Sequence, residues 1–312
     1  MQSSLLKLQS FNKQKLVRKS IRFTISLVLY LCLIGLSFVF IFPFLYMIVT
    51  ACKSPQDLND ISVTWLINEV RFSNFTTAFE KLDYVSRLSN TVFVVILSVI
   101  GHIFSCAFIG YGFARYKFKF KSFWFALLIL TIIIPSETII VPLYILFGRM
   151  GWVGTYLPII IPCYIGFGLR GALFVFIYNQ FFLSLPKALE EAAAIDGAGP
   201  IRTFFSIALP NAKASSLITL VLGIVWHWND TFEPSMYIEK QSSYLLPQFL
   251  PNLYSMISNN VSVDSMMDNN AVIYNEAVAM AATALVIIPL IVFYMFVQSK
   301  FMVSVERSGL TG

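Results

Sequence analysis

The stretch LEEAAAIDGAGPIRTFFSIALP, residues 189–210, gathers two glutamates, an aspartate and an arginine around a Gly-Ala-Gly-Pro break. Residues 187–195 are strong helix formers that follow Pro186, which predicts a short helix. Gly197 ends this helix, because glycine tolerates the left-handed backbone conformation found at helix ends. Pro200 then begins a second short helix. The stretch therefore predicts a helix–turn–helix elbow that is polar on one face and apolar on the other.

The rest of the chain is strongly apolar. Its 312 residues are 57% hydrophobic and 12% charged, with 30 Phe and 14 Tyr, and the mean hydropathy is +0.75. This composition excludes an ordinary soluble domain and indicates that lipid surrounds most of the chain. A membrane-spanning helix needs about 20 apolar residues, and six segments reach that length. These segments lie at about 24–50, 91–113, 122–146, 156–183, 214–233 and 274–298.

We therefore predict an all-α polytopic membrane protein with six transmembrane helices, organised as one domain over residues 1–312. The elbow, 184–210, lies between the fourth and fifth spans. The net charge of +6 indicates an orientation rather than nucleic-acid binding, because six basic residues precede the first span and four lie in the short loop 115–121. Basic residues flank the cytoplasmic ends of membrane spans. Both termini are accordingly predicted to be cytoplasmic, and no nucleic-acid partner is expected.

The cysteines and histidines indicate neither disulfides nor a metal site. The cysteines lie in or at the ends of apolar runs without paired spacing, which is typical of small core residues. His102 and His227 are far apart in the sequence, have no second ligand at metal spacing, and are expected to take part in polar packing. No nucleophile–base arrangement indicates an enzyme. The glycines of GFGLRG (166–171) lie within the fourth span, where we expect them to allow bending or close packing.

The spacing E-A-A-x3-G-x9-I-x-L-P, which begins at Glu191 and ends at Pro210, resembles the EAA loop of binding-protein-dependent ABC importer permeases. Other segments are similar, in the same order, to the carbohydrate branch of that family, the maltose-type small permeases. These segments are PFLYMIVTACKS (43–54), GYGFARYKFKFKS (110–122), IIPSETIIVPLYILFGRMGW (133–152), WNDTFEP (228–234) and SGLTG (308–312). The resemblance covers most of the chain and implies a type I ABC importer permease architecture.

The resemblance also implies a role for the elbow. In this family it docks into a cleft of a cytoplasmic ATPase and passes the closure of that ATPase to the spans. The expected coupling residues are Glu190, Glu191, Ala192, Ala193, Asp196 and Gly197. The implied partners are a second permease in a heterodimer, two cytoplasmic ATPase subunits and an extracellular solute-binding protein. ATP and Mg²⁺ bind the ATPases, so no cofactor is expected in this chain, which is placed as a multi-pass protein in a prokaryotic cell membrane.

Polar groups at bilayer depth are candidates for the substrate pathway, because burying them is costly. Arg170 lies within the predicted fourth span, and the alternative role is a structural pair with Glu137. The stretch WHWNDTFEP (226–234) combines flat aromatic faces with hydrogen-bonding groups, which suits a sugar, although an aromatic belt at the membrane surface is the alternative. The candidate pathway residues are Trp226, Trp228, Asn229, Glu233 and Arg170.

The expected function is ATP-driven import of a carbohydrate, an oligosaccharide in particular, by alternating access. One alternative is an importer of the same architecture for glycerol phosphate or a polyol, since Arg170 would suit an anionic group. A self-sufficient secondary transporter is the other alternative. It requires coupling carboxylates within the spans, and Glu137 is the one carboxylate that the sequence places clearly inside a span.

Overall fold

A computed structural model describes residues 2–60, 62–259 and 276–307. All regular structure in these ranges is helical, and the predicted all-α class is confirmed. The α-helices are α1 (Gln2–Ala51), α2 (Pro55–Asn59), α3 (Ser73–Lys81), α4 (Tyr84–Arg115), α5 (Lys121–Ile133), α6 (Ile140–Arg149), α7 (Leu157–Ile160), α8 (Gly171–Ser184), α9 (Ala188–Ile195), α10 (Pro200–Thr203), α11 (Leu209–Asn211), α12 (Lys213–Asn229), α13 (Phe232–Tyr237), α14 (Leu246–Asn259) and α15 (Glu276–Arg307). Short 3-10 turns occupy Ser136–Thr138, Ile161–Ile165 and Gln241–Ser243, and Phe204–Ala208 is a π-helical turn.

Within the described ranges, three helices are long and apolar enough to cross a membrane: Ile21–Ala51 in α1, all of α4, and Glu276–Ser304 in α15. Two pairs of helices reach that length only across a sharp bend. One pair is α8 with α9, bent by 78°, and the other is Pro200–Asn211 with α12, bent by 74°. The helices α5 and α6 are apolar but shorter. Length and composition alone thus give three to five spans rather than the predicted six.

The predicted third span, 122–146, is broken near its middle. The helix α5 ends where Ile134 takes an extended backbone, with ψ of 121°, directly before Pro135. A residue that precedes proline is pushed out of the helical region by the proline ring. The expectation of one continuous helix was wrong here, because a count of apolar residues gives no weight to the proline.

The predicted fourth span, 156–183, is also broken. It begins with α7 and a 3-10 turn, and Gly166 ends that turn with a φ of +74°. Gly168 follows with a φ of +101°, and α8 begins only at Gly171. The glycines of GFGLRG therefore allow a bend, as expected, and Arg170 lies in the bend rather than inside a helix.

The helix α4 is the centre of the fold and packs against α8, α12 and the 3-10 turn Ile161–Ile165. It approaches α8 closely at Gly110. A Cβ atom there would lie 2.8 Å from the Cβ of Tyr178 and 2.9 Å from the carbonyl oxygen of Val175. The side chain of Asn179 donates to the carbonyl of Gly110 at 3.4 Å. The missing side chain at Gly110 thus sets how closely α4 and α8 pack, as small residues do between membrane helices.

The helix α1 contributes little to the core of this chain. Residues 21–45 are exposed although they are almost all apolar, and α1 packs mainly against α15. An apolar surface of this extent is stable only against lipid or another apolar surface.

Of the remaining predicted spans, the second extends beyond 91–113 to the whole of α4, and the fifth ends at Asn229.

The segment that joins α1 to α4 is held by the carboxylate of Asp57. It accepts hydrogen bonds from the side chain of Asn68 at 2.8 Å and from the backbone N–H groups of Asn68 at 3.2 Å and Glu69 at 3.3 Å. Burial alone would raise the pKa of Asp57, but these hydrogen bonds, with one from Ser54, outweigh it and hold the pKa below its usual value. The ionised form of Asp57 is therefore the one that stabilises this segment.

Candidate functional site

The elbow has the predicted shape. The helix α9 ends at Ile195, and Gly197 takes a φ of +78°. The N–H of Ala198 donates to the carbonyl of Ala193 at 2.9 Å, and the N–H of Gly197 donates to the carbonyl of Ala194 at 3.1 Å. These bonds close the helix in the manner of a Schellman motif, whose left-handed residue is usually glycine. The prediction that Gly197 ends the helix is confirmed.

The second half of the elbow begins at Pro200, also as predicted, and is anchored to α4. Phe204 lies in the π-helical turn and is 1% exposed. Its ring centroid is 5.4 Å from that of Tyr111 and 5.2 Å from that of Phe108. Both partners are on α4. A movement of the elbow must therefore either carry α4 with it or break this aromatic contact.

An ion pair joins the first half of the elbow to the same helix. The Nε of Arg115, in the last turn of α4, lies 2.8 Å from Oε1 of Glu190 in α9. The N–H does not point at the carboxylate closely enough for a hydrogen bond, so the contact is an ion pair. The Nη2 of Arg115 also donates to the carbonyl of Leu185. Glu190, which is predicted to couple to an ATPase, is bound to Arg115 within this chain.

The coupling residues predicted for α9 divide into two faces. Ala193 is 6% exposed and is buried within this chain. Glu191 and Ala192 are exposed, as are Asp196 and Gly197 at the end of the helix. Ile195 is 87% exposed and was not among the predicted residues. It lies four residues after Glu191, which places both on one side of the helix, and this spacing was the available signal.

A cavity of about 460 Å³ lies between the broken third and fourth segments. Its charged lining residues are Glu137, Arg170 and Glu233, and Ser136 adds a hydroxyl. Arg170 and Glu233 were predicted to line a pathway, and the structure brings them to one cavity. Ser136 and Glu137 come from the 3-10 turn that follows Pro135.

The backbone of Arg170 is left-handed, with a φ of +61°. Its guanidinium carbon lies 5.8 Å from the ring centroid of Trp226, within the range of a cation–π contact. Glu137 lines the same cavity, but the part of the chain that the structure describes contains no ion pair between Glu137 and Arg170. The alternative role of Arg170, a structural pair with Glu137, is therefore not seen among the described residues.

The other predicted pathway residues are placed elsewhere. Trp228 is 6% exposed and its Nε1 donates to the carbonyl of Val286 at 3.2 Å. Trp228 therefore belongs to the packing of α12 against α15, and neither Trp228 nor Trp226 lines the cavity. Asn229 is exposed, and its side chain donates back to the carbonyl of Val225 in its own helix at 2.8 Å.

The two histidines, which are far apart in the sequence and were expected to take part in polar packing, are neighbours in space. The ring centroids of His102 and His227 are 5.4 Å apart, and Cys163 lies beside them. Their distance in sequence gave no sign of this contact, because α4 and α12 come together only in the tertiary structure.

Comparison with known proteins agrees with this architecture. The family model described as "binding-protein-dependent transport system inner membrane component" matches residues 106–302. The chain is 26% identical over 280 residues to the arabinooligosaccharides transport system permease protein AraQ of Halalkalibacterium halodurans, covering 89% of this chain and 93% of that protein. It is 28% identical over 272 residues to the melibiose/raffinose/stachyose import permease protein MelC of Bacillus subtilis, covering 86% of this chain and 91% of that protein.

A solved structure shares the fold. A chain of a bacterial ABC transporter involved in the import of the acidic polysaccharide alginate superposes with a TM-score of 0.73 and 21% sequence identity. The match covers 88% of this chain and 95% of that chain. The family match spans more than half of the sequence, and the chain belongs to the family of binding-protein-dependent transport system inner membrane components.

Proposed function

We propose that this chain is a permease subunit of an ATP-driven ABC importer that carries a carbohydrate, an oligosaccharide in particular, across a prokaryotic cell membrane. A second permease would complete the membrane core as a heterodimer. Two cytoplasmic ATPase subunits would bind ATP and Mg²⁺, and an extracellular binding protein would deliver the solute. The chain itself performs no chemistry in this proposal.

One observation carries the proposal, the two-sided arrangement of α9. On one side, Glu190 is paired with Arg115 and Ala193 is buried. On the other side, Glu191, Ala192 and Ile195 are exposed. A helix that passes on motion needs a fixed contact with the moving body and a free face for the partner that drives it. The helix α9 has both, and α4 is the body to which it is fixed.

The proposed topology keeps six spans with both termini in the cytoplasm. The helices α1, α4, α12 and α15 supply four of them. The other two are the broken segments α5–α6 and α7–α8, since irregular backbone is tolerated at membrane depth where it lines a cavity. The basic N-terminal segment and the basic loop after α4 support the orientation, which puts α9 on the cytoplasmic side.

The chemistry of the cavity favours a neutral, hydroxyl-rich solute. Two carboxylates, one guanidinium and the aromatic ring of Phe167 line it, and Trp226 contacts the guanidinium without lining the cavity itself. Carboxylates accept hydrogen bonds from sugar hydroxyls, and an aromatic face packs on the C–H face of a sugar ring. The excess of carboxylates over basic groups disfavours glycerol phosphate. The relatives named for oligosaccharides support the same class of solute.

Energy coupling is proposed to come from the ATPases rather than from an ion gradient. ATP binding can shift the permease only if the nucleotide-bound ATPases have different affinities for its two states. The exposed face of α9 is where this difference in affinity would be expressed. A secondary carrier has no use for such a face.

Uptake into proteoliposomes tests the proposal. The complex is reconstituted with its binding protein and internal ATP, and labelled oligosaccharides, polyols and glycerol phosphate are compared. We expect ATP-dependent uptake of an oligosaccharide, and a loss of uptake without the binding protein. Ile195→Asp should abolish uptake by disrupting the exposed face, whereas Ile201→Asp, on an exposed residue of α10, is the matched control. Uptake driven by an ion gradient without ATP would overturn the proposal.

A further inference from the structure

Three elements that meet at the centre of the fold place nitrogen and sulfur atoms around one point. His102 is on α4, Cys163 is in the 3-10 turn Ile161–Ile165, and His227 is on α12. One ligand atom from each lies within 4.8 Å of the other two. The Sγ of Cys163 is 4.0 Å from Nε2 of His227. All three residues are buried, with 0%, 0% and 4% exposure respectively.

The state of His102 favours a ligand at this point. Its Nδ1 is 3.6 Å from Sγ of Cys106, one turn further along α4, and the backbone of Leu169 also lies beside the ring. Its buried Nε2 makes no hydrogen bond of good geometry to any of the described residues. An imidazole that donates through Nδ1 presents an unprotonated Nε2 with a free lone pair. Buried polar atoms in native proteins almost always have a bonding partner. We therefore expect a group that accepts the lone pair of this nitrogen, such as a metal ion.

The donor set selects the class of ligand. Imidazole and thiolate are the ligands that zinc and monovalent copper prefer, whereas magnesium and calcium require oxygen. Zinc is held at about 2.0–2.1 Å by nitrogen and about 2.3 Å by sulfur, which puts the ligand atoms roughly 3.5 Å apart. A contraction of up to about 1.3 Å from separations within 4.8 Å is required to reach that spacing, a distance that side-chain rotation covers.

We propose that His102, Cys163 and His227 bind a Zn²⁺ or Cu⁺ ion that links α4, the 3-10 turn and α12 in the middle of the membrane core. Charge separates the two metals. One thiolate and two neutral imidazoles neutralise Cu⁺. The same set leaves one positive charge on Zn²⁺ unless the thiolate of Cys106 also binds, and an unbalanced charge is costly at this depth.

The site has a structural consequence for the region around the cavity. The S–H of Cys163 donates to the carbonyl of Ile159 at 3.2 Å, a local bond to the helix α7 that directly precedes its turn. A metal would replace this local bond with one that reaches α4 and α12, and would fix the turn that precedes Gly166 and Arg170. The ion would enter during folding, because the ligands are closed to solvent, and would resist chelators afterwards.

Metal analysis of the full-length chain tests the inference. The chain is expressed with added zinc or copper, purified in detergent with any co-purifying partners, dialysed against EDTA and analysed by plasma mass spectrometry. We expect about one Zn or Cu per chain, and background levels in His227→Phe and Cys163→Ala. Cys32→Ala, at an exposed cysteine of α1, should keep the metal. Loss of the ion in Cys106→Ala would assign zinc, and its retention would assign copper.

Cobalt loading gives a readout that needs no stable variant. A chain expressed with Co²⁺ should show the thiolate-to-cobalt charge-transfer band and the d–d bands of low-coordinate cobalt. Wild-type protein without Zn, Cu or this band overturns the inference. So does a metal content that is unchanged in correctly folded His227→Phe and Cys163→Ala.

Discussion

The ion pair between Arg115 and Glu190 is the first contact to test, because it joins the elbow to α4. Glu190→Gln keeps the shape of the side chain and removes its charge. Arg115 then stays almost buried, with a side chain 6% exposed, and no longer has a negatively charged partner among the described residues; the carbonyl of Leu185 still accepts from it. We expect the elbow to loosen from α4 and the chain to lose stability.

The structure sets the size of this loss. Exposed ion pairs contribute about 0.2–1 kcal/mol, and removing one partner of a fully buried pair costs about 3–5 kcal/mol. The side chain of Glu190 is 19% exposed and the charged atoms are 2.8 Å apart, so this pair lies between those cases. We expect a loss of about 2 kcal/mol in the free energy of unfolding.

A double-mutant cycle measures the pair directly. Unfolding in mixed SDS and neutral-detergent micelles is followed for Glu190→Gln, Arg115→Met and the double variant. The double variant should be little worse than either single variant, because the second substitution removes a charge that is already unpaired. Glu191→Gln, the same change on the exposed face of α9, is the control and should leave stability unchanged. Losses that add to within about 0.3–0.5 kcal/mol would refute the argument.

Three further predictions concern the elbow, the core and the segment that joins α1 to α4. Gly197→Pro should abolish ATPase stimulation by loaded binding protein while membrane insertion persists, because proline cannot adopt the positive φ or donate the N–H bond. Gly199→Ala, at a φ of −73°, is the control. ATPase stimulation that survives in Gly197→Pro would count against the elbow's role. Trp228→Ala should lower the free energy of unfolding, measured in mixed micelles, by about 3–5 kcal/mol. Trp226→Ala should mainly slow uptake. If Trp228→Ala instead mainly slowed uptake, Trp228 would belong to the substrate pathway. The lowered pKa of Asp57 means that its stabilisation is complete above the pKa of the unfolded chain and is lost as the pH falls through the folded value. Asp57→Asn should therefore flatten the acid limb of stability against pH, and an unchanged limb would exclude Asp57 as its cause.

The elbow could be predicted from sequence because its shape is set locally. A glycine with positive φ ends α9, and a proline begins the next helix, so a few adjacent residues carry the whole signal. The partner of Glu190 could not be predicted in this way. Arg115 lies in a different helix, and only the packing of the elbow against α4 brings the two together.

The residues of the cavity could likewise be predicted only in part. Sequence indicated Arg170 and Glu233 as polar groups at bilayer depth, and both line the cavity. It could not choose between Trp226 and Trp228, because residues two apart on a helix point to different sides. Trp228 turned towards α15 and Trp226 towards Arg170. The histidine–cysteine cluster was missed for a related reason, since its three members come from three separate elements.

The chains that co-purify with this protein test the role proposed for α9. A tagged copy of the chain is extracted in mild detergent, and the chains that accompany it are identified by mass spectrometry, with Ile195→Asp run in parallel. We expect a second membrane permease to co-purify with both the wild-type chain and Ile195→Asp. An ATPase with Walker motifs should accompany the wild-type chain and be lost from Ile195→Asp. A wild-type chain recovered alone and monodisperse, or an ATPase that remains bound to Ile195→Asp, would contradict the role given to α9.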